Sequence, residues 1–218
     1  MMISLLAWAA GALYAVTLWA ILHSCRRGPF GPADRVTLAR AVLTGVVTAL
    51  VVDGSAVAAL TATAAVALAL DWVDGQVARR TGTVSSFGAR FDMETDAFLV
   101  LVLSVHVATS LGWWVPLIGA MRYAFVAASW SLPWLRGSLP PSFARKTVAA
   151  IQGIVLAAAG SGAIARPVAA AAVAAALGAL LWSFGRDVRW LWHDARDARD
   201  GDARGTVAEE LPEKVPAS

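Results

Sequence analysis

Apolar residues in this chain come in long unbroken runs rather than in alternation with polar ones. Seven runs stand out, at residues 3–23, 36–52, 56–78, 91–111, 113–135, 148–163 and 168–186, separated by short basic or Gly/Pro breaks. Each is close to the roughly 20 residues with which a helix crosses a bilayer. A membrane barrel would instead show alternation in segments of about ten. The pattern predicts an all-α, polytopic transmembrane helical bundle.

The break at residues 26–32 (RRGPFGP) sets the first run apart from the other six. It predicts an extra N-terminal transmembrane helix with a hinge (1–32) ahead of a six-helix core (33–186). The last core run is dominated by Ala, whose small side chains let helices pack closely. After Arg186 the composition turns to mixed charge, which predicts an interfacial amphipathic segment within 187–218 and a disordered end at 206–218.

Composition sharpens this reading. Only 15% of residues are charged and 58% are hydrophobic, against about a quarter charged in soluble domains, which excludes an ordinary soluble globule. Cys25 is the sole cysteine, so neither an intramolecular disulfide nor redox chemistry is expected. The first run lacks a charged lead-in and an A-x-A site, and it reads as a retained helix rather than a signal peptide. Arg26, Arg27, Arg35, Arg79, Arg80, Arg90, Arg136, Arg145, Lys146, Arg186 and Arg189 fall on alternate breaks, whereas the opposite side holds Arg166 and Asp53. By the positive-inside rule, the basic breaks and the tail face the cytoplasm and the N-terminus faces outward, in a multi-pass cell-membrane protein.

The acids are crowded. Of 15, eight follow Phe184 and five fall between Asp71 and Asp96, in DWVDGQVARRTGTVSSFGARFDMETD. Asp71 and Asp74 are three apart and Asp92 and Asp96 four apart, so each pair shares a helix face. In an antiparallel helix pair, Asp71 then matches Asp96 in depth and Asp74 matches Asp92, one to two turns inside the cytoplasmic surface. A charge inside a bilayer costs at least about 2.5–3.5 kcal/mol, so four converging carboxylates require a counter-ion. Hard divalent cations such as Mg²⁺ or Mn²⁺ suit oxygen ligands, and no Cys or His lies nearby to favour zinc. Gly75 and Gly88 remove side chains beside the acids, where a ligand or another backbone approaches. The ordinary alternative is a solvated loop in which the acids pair with Arg79, Arg80 and Arg90. It is the better reading for Glu94, which lies off the Asp92/Asp96 face, and the poorer one for the four aspartates.

The spacing D-x2-D-G-x2-A-R-x8-G-x3-D-x3-D is filled by Asp71, Asp74, Gly75, Ala78, Arg79, Gly88, Asp92 and Asp96. It resembles the signature of the CDP-alcohol phosphotransferase (phosphatidyltransferase) family of membrane enzymes. The resemblance implies that an acceptor hydroxyl attacks the β-phosphoryl group of a CDP-alcohol, such as CDP-diacylglycerol, and releases CMP, in phospholipid biosynthesis. It implies Asp71, Asp74 and Asp92 as ligands of two Mg²⁺ or Mn²⁺ ions, Asp96 as both ligand and general base, and Gly75, Arg79 and Ser85 as contacts to CDP. Ala78 and Gly88 are then packing positions of the motif. A homodimer in membrane lipid is implied as well, and no nucleic-acid partner is expected.

Thr37 and Arg40 form a T-x-x-R element similar to one found near the nucleotide in the family, which makes them candidate CDP contacts. Pro32-Ala33-Asp34 stands where the family has a Pro-Asn lead-in, and an interfacial anchoring role for Arg40 is the alternative. Arg122, in the middle of a run, is expected to face the interior and meet a carboxylate or an anionic substrate. Arg145 and Lys146 are candidates for an acceptor-phosphate pocket or, equally, ordinary positive-inside anchors. His23, His106 and His193 read as structural. Two rival classes stay open. A transporter with a buried acidic cluster predicts acids spread through the membrane depth and helices broken at the midplane. An inactive relative serving as an assembly partner predicts loss of a motif aspartate. The acceptor alcohol is open among glycerol 3-phosphate, inositol phosphate, serine and a second phospholipid.

Overall fold

A computed structural model describes residues 32–209 apart from 55, 82–85, 138 and 141, and its described side chains leave out 32–34, 72–81, 86, 87, 90 and 198–209. The expected first helix and its hinge lie outside the described residues. Among the described residues six α-helices follow one another: α1 (Pro32–Asp53), α2 (Val57–Thr81), α3 (Ser86–Leu111), α4 (Leu117–Ser131), α5 (Phe143–Gly160) and α6 (Arg166–Glu209). A single 3₁₀ turn, Pro133–Arg136, lies between α4 and α5, and no strand occurs among the described residues. The chain is all-α.

Helix ends follow local chemistry. α1 opens on Pro32, whose fixed φ and missing N–H suit a first turn. α1 and α3 stop before Gly54 and Gly112, with φ of 70° and 112°, values that residues bearing a Cβ rarely adopt. α4 is shorter than the run at 113–135 because a turn at residues 113–116 precedes it and Pro133 cannot donate to a continuing helix.

α3 is the central helix, packed against α1, α4 and α5. Its Phe91, Thr95, Leu99, Leu103 and Val107 recur every four residues and are buried. α1 rests on both α2 and α3, and α5 on α2, α3 and α6. Gly119 brings α4 close to α3, since a Cβ there would stand 2.3 Å from the Cα of Leu101.

α6 buries Ala169, Val173, Ala176, Leu180, Ser183, Asp187 and Leu191, in steps of four and three. This stripe crosses residue 186 without interruption, so the helix does not end where the charge pattern suggested. It runs on to Glu209, and residues 206–209, expected to be disordered, are helical. Beyond residue 186 the helix is held by Leu191, whose Cδ2 sits 2.8 Å from where a Cβ on Gly137 would be.

Among the described residues, three helical stretches are long and apolar enough to cross a membrane: Arg35–Asp53, Phe91–Leu111 and Arg166–Asp197. Among the described residues, Val57–Asp71 of α2 is a further, shorter apolar stretch. Trp113, Trp130 and Trp182 are exposed on the outside of the bundle, as an apolar surface facing lipid requires.

Candidate active site

The buried face of α1 carries Thr37, Arg40, Ala41, Thr44 and Val47, an i, i+3, i+4, i+7, i+10 pattern. Arg40 therefore points into the bundle and is only 1% exposed. Its Nη1 lies 3.0 Å from Oδ1 of Asp71 on α2. The same nitrogen donates to Oδ1 of Asp92, and Nη2 donates to Oδ1 of Asp96, one turn further along α3. The three aspartates can each turn one carboxylate oxygen into a group whose members lie within 4.8 Å of one another. Their side chains are about 40% exposed, at 41%, 37% and 41%, whereas Arg40 between them is buried. Asp96 lies ten residues into α3 and Asp71 ten from the end of α2, which sets the cluster about 15 Å in from the helix ends.

The expected convergence of Asp71 with Asp96 is present, and Asp92 joins the same group. The wall between the two acidic helices is α1. Its arginine supplies the positive charge that sequence reasoning sought from metal or from Arg79, Arg80 and Arg90, whose side chains lie outside the described residues. Asp74, Gly75, Ala78 and Arg79 belong to the helical backbone of α2, but their side chains also lie outside that set, as does Ser85 altogether. Gly88 sits in the first turn of α3, half-buried. Arg40 as partner of the acids was legible in one signal: a cation sharing a buried helix face with Ala41 and Thr44 must meet an anion.

The donor set fits a hard divalent cation. Three carboxylates converge with neither thiol nor imidazole among them, which suits Mg²⁺ or Mn²⁺ and not zinc. Three carboxylates and one guanidinium leave two negative charges, before Asp74 is considered.

Glu94 stands apart from this group. It accepts from Nη2 of Arg122 on α4, whose Nη1 lies 3.0 Å from Sδ of Met93. Arg122 thus meets a carboxylate, and not one of the trio. At the same end of the bundle, Arg145 near the start of α5 places Nη1 3.4 Å from Oδ2 of Asp187, and its Nη2 donates to the Pro140 carbonyl. Arg186 lies 3.5 Å from the other Asp187 oxygen and 3.3 Å from Oγ of Ser142. These residues, with Leu139 and Trp190, line a cavity of about 280 Å³. Lys146 is exposed and does not line it. Sequence reasoning grouped Asp187 with the tail acids and passed over Arg186 as a site residue. The buried stripe of α6, on which Asp187 falls, was the available signal. His106 places Nε2 3.1 Å from the Gly160 carbonyl and His193 packs on Trp192, so both are structural. His23 lies outside the described residues.

An all-helical membrane protein whose acids gather on two unbroken helices lacks the midplane breaks of a transporter. Converging carboxylates that could hold a metal are the equipment of phosphoryl transfer, where catalysis is mainly positioning and charge neutralisation. The family model for CDP-alcohol phosphatidyltransferase matches residues 31–187, and the chain belongs to that family. No curated protein and no solved structure matches it. It is a transferase of substituted phosphate groups that moves a phosphate-linked group from a CDP-alcohol to an alcohol acceptor.

Proposed function

We propose that this protein transfers a phosphatidyl group from CDP-diacylglycerol to the hydroxyl of a phosphorylated polar acceptor, in phospholipid biosynthesis. The convergence of Asp71, Asp92 and Asp96 at one end of the bundle is the observation that carries the reading. Asp96 takes the proton of the acceptor hydroxyl. The acceptor oxygen then forms a bond to the β-phosphorus while the bond from that phosphorus to the CMP oxygen breaks, and CMP leaves with the electron pair. Asp71, Asp74, Asp92 and Asp96 would hold two Mg²⁺ or Mn²⁺ ions, which neutralise the diphosphate and the leaving CMP. Gly75, Arg79, Ser85, Thr37 and Arg40 form the CDP side of the site, supported by the match of their motifs to the family. Ala78 and Gly88 keep the two acidic helices slim beside it.

The acceptor side is assigned to the basic cavity of Arg145 and Arg186, with Lys146 and Arg122 as outlying attractors of an anionic substrate. Arginine pairs bind phosphate well because the guanidinium fork offers paired N–H donors. Cytoplasmic placement of this end and an outward N-terminus are supported by the basic residues on the alternate breaks. A homodimer is part of the same reading, supported by family likeness. The test is to incubate purified protein with labelled CDP-diacylglycerol and, separately, glycerol 3-phosphate, inositol phosphate, serine or a second phospholipid. A new labelled lipid with a phosphorylated acceptor is the expected result. Product only with serine or a lipid acceptor would overturn the acceptor assignment.

A further inference from the structure

Arg40 is held more tightly by its surroundings than a nucleotide contact requires. It is 1% exposed and its two terminal nitrogens are spent on carboxylates from two different helices. A guanidinium does not lose its proton in a protein, so this positive charge is permanent. The acids it touches would be costly in a membrane without a cation, and here the chain brings its own. Nη1 reaches both Asp71 and Asp92 while Nη2 reaches Asp96, so the group is spread across the whole cluster. An ion of the Mg²⁺ type draws its ligand oxygens to about 2.1 Å. The three carboxylates it would gather are those the guanidinium nitrogens now touch, so the two cations compete for one set of side chains.

We propose that Arg40 is the resident counter-cation of the aspartate cluster, that a divalent ion binds by displacing its guanidinium, and that Arg40 thereby sets the metal affinity. This rests on the reading of Asp71, Asp92 and Asp96 as metal ligands. It gives Arg40 two successive partners. The carboxylates hold it before the ion enters, and once released it stands beside the ion, where the diphosphate of a CDP-alcohol would bind. Arg40 is a positioning residue in the first role, since it holds the three carboxylates together. Lysine would be a poor substitute, because a single ammonium cannot span three carboxylates as a planar fork does.

The experiment is Mn²⁺ binding to the full chain in detergent, followed by electron paramagnetic resonance, with thermal unfolding recorded in EDTA and in Mn²⁺. Wild type is compared with Arg40→Gln, Arg40→Lys and Asp96→Asn. The expected result is that Arg40→Gln binds Mn²⁺ about tenfold tighter or more, the direction that removing a competing charge at contact distance dictates. Its midpoint should fall in EDTA and recover in Mn²⁺. Arg40→Lys should lie between the two in both measurements. Equal or weaker Mn²⁺ binding by Arg40→Gln overturns the proposal while leaving the metal reading in place. Absence of saturable binding by wild type, or binding undiminished in Asp96→Asn, overturns the metal reading and the proposal together. If Arg40→Gln does not accumulate, Arg40→Lys decides: wild-type affinity with an unchanged midpoint in EDTA overturns the proposal.

Discussion

Nη1 of Arg40 lies 3.0 Å from Oδ1 of Asp71, a residue on the next helix of the bundle. Because the same guanidinium donates to Asp92 and Asp96, one side chain ties α1 to both α2 and α3 at the level of the acids. The candidate site is therefore a three-helix construction, and its parts respond together to substitution.

Asp71→Asn should weaken Mn²⁺ binding by at least about tenfold, since disturbing even the outer partners of a metal costs about 10–100-fold. Glu94→Gln, which loses its partner Arg122 and not a ligand, should leave the affinity within about twofold, well below such a loss. Titration of both variants by electron paramagnetic resonance separates membership of the cluster from mere acidity in the same stretch of helix.

Removal of metal gives a second test. EDTA should abolish transfer from the CDP-alcohol, and Mg²⁺ or Mn²⁺ should restore it, because the ligands are all hard oxygens. Turnover that persists in excess EDTA would show that the carboxylates work without an ion.

Arg145→Ala should raise the acceptor KM about tenfold while leaving the KM for the CDP-alcohol unchanged, the order expected for a lost charge-assisted hydrogen bond. Asp187→Asn should shift the same constant, because Asp187 lies between Arg145 and Arg186. Steady-state kinetics with each substrate varied in turn distinguishes this from a general loss of folding.

The fold was legible in the sequence where burial repeats along one helix. The long apolar runs at residues 91–111 and 168–186 became most of α3 and the first part of α6. Two things escaped. The ion pairs of Arg40 with Asp96 and of Arg145 with Asp187 join residues on different helices, and periodicity reports the face of a helix rather than its neighbour. The end of α6 escaped because charge was read as a boundary, whereas Asp187 and Leu191 continue the buried stripe. The aspartates were recognisable because their own spacing places them, and Arg40 was assigned to the nucleotide because its motif names no acidic partner.

Packing gives a prediction independent of chemistry. Gly119→Ala should cost about 1–3 kcal/mol, since overpacking a close contact forces backbone shifts and the new Cβ would meet the Leu101 backbone at 2.3 Å. Gly178→Ala is the control. Nothing lies within 4 Å of its Cβ position, and replacing a helical glycine should be neutral or stabilising by up to about 1 kcal/mol. Thermal unfolding of both variants in detergent checks the pair.

Asp96 carries the central claim, that the aspartate cluster performs the transfer. The direct measurement is Mn²⁺-dependent CMP release from CDP-diacylglycerol by wild type and by Asp96→Asn, with an acceptor on which wild type turns over. A general base contributes about 10²–10⁴-fold, so CMP release should fall by at least 10²-fold in a variant that still unfolds cooperatively. Undiminished CMP release by folded Asp96→Asn would contradict the assignment of Asp96 as the base.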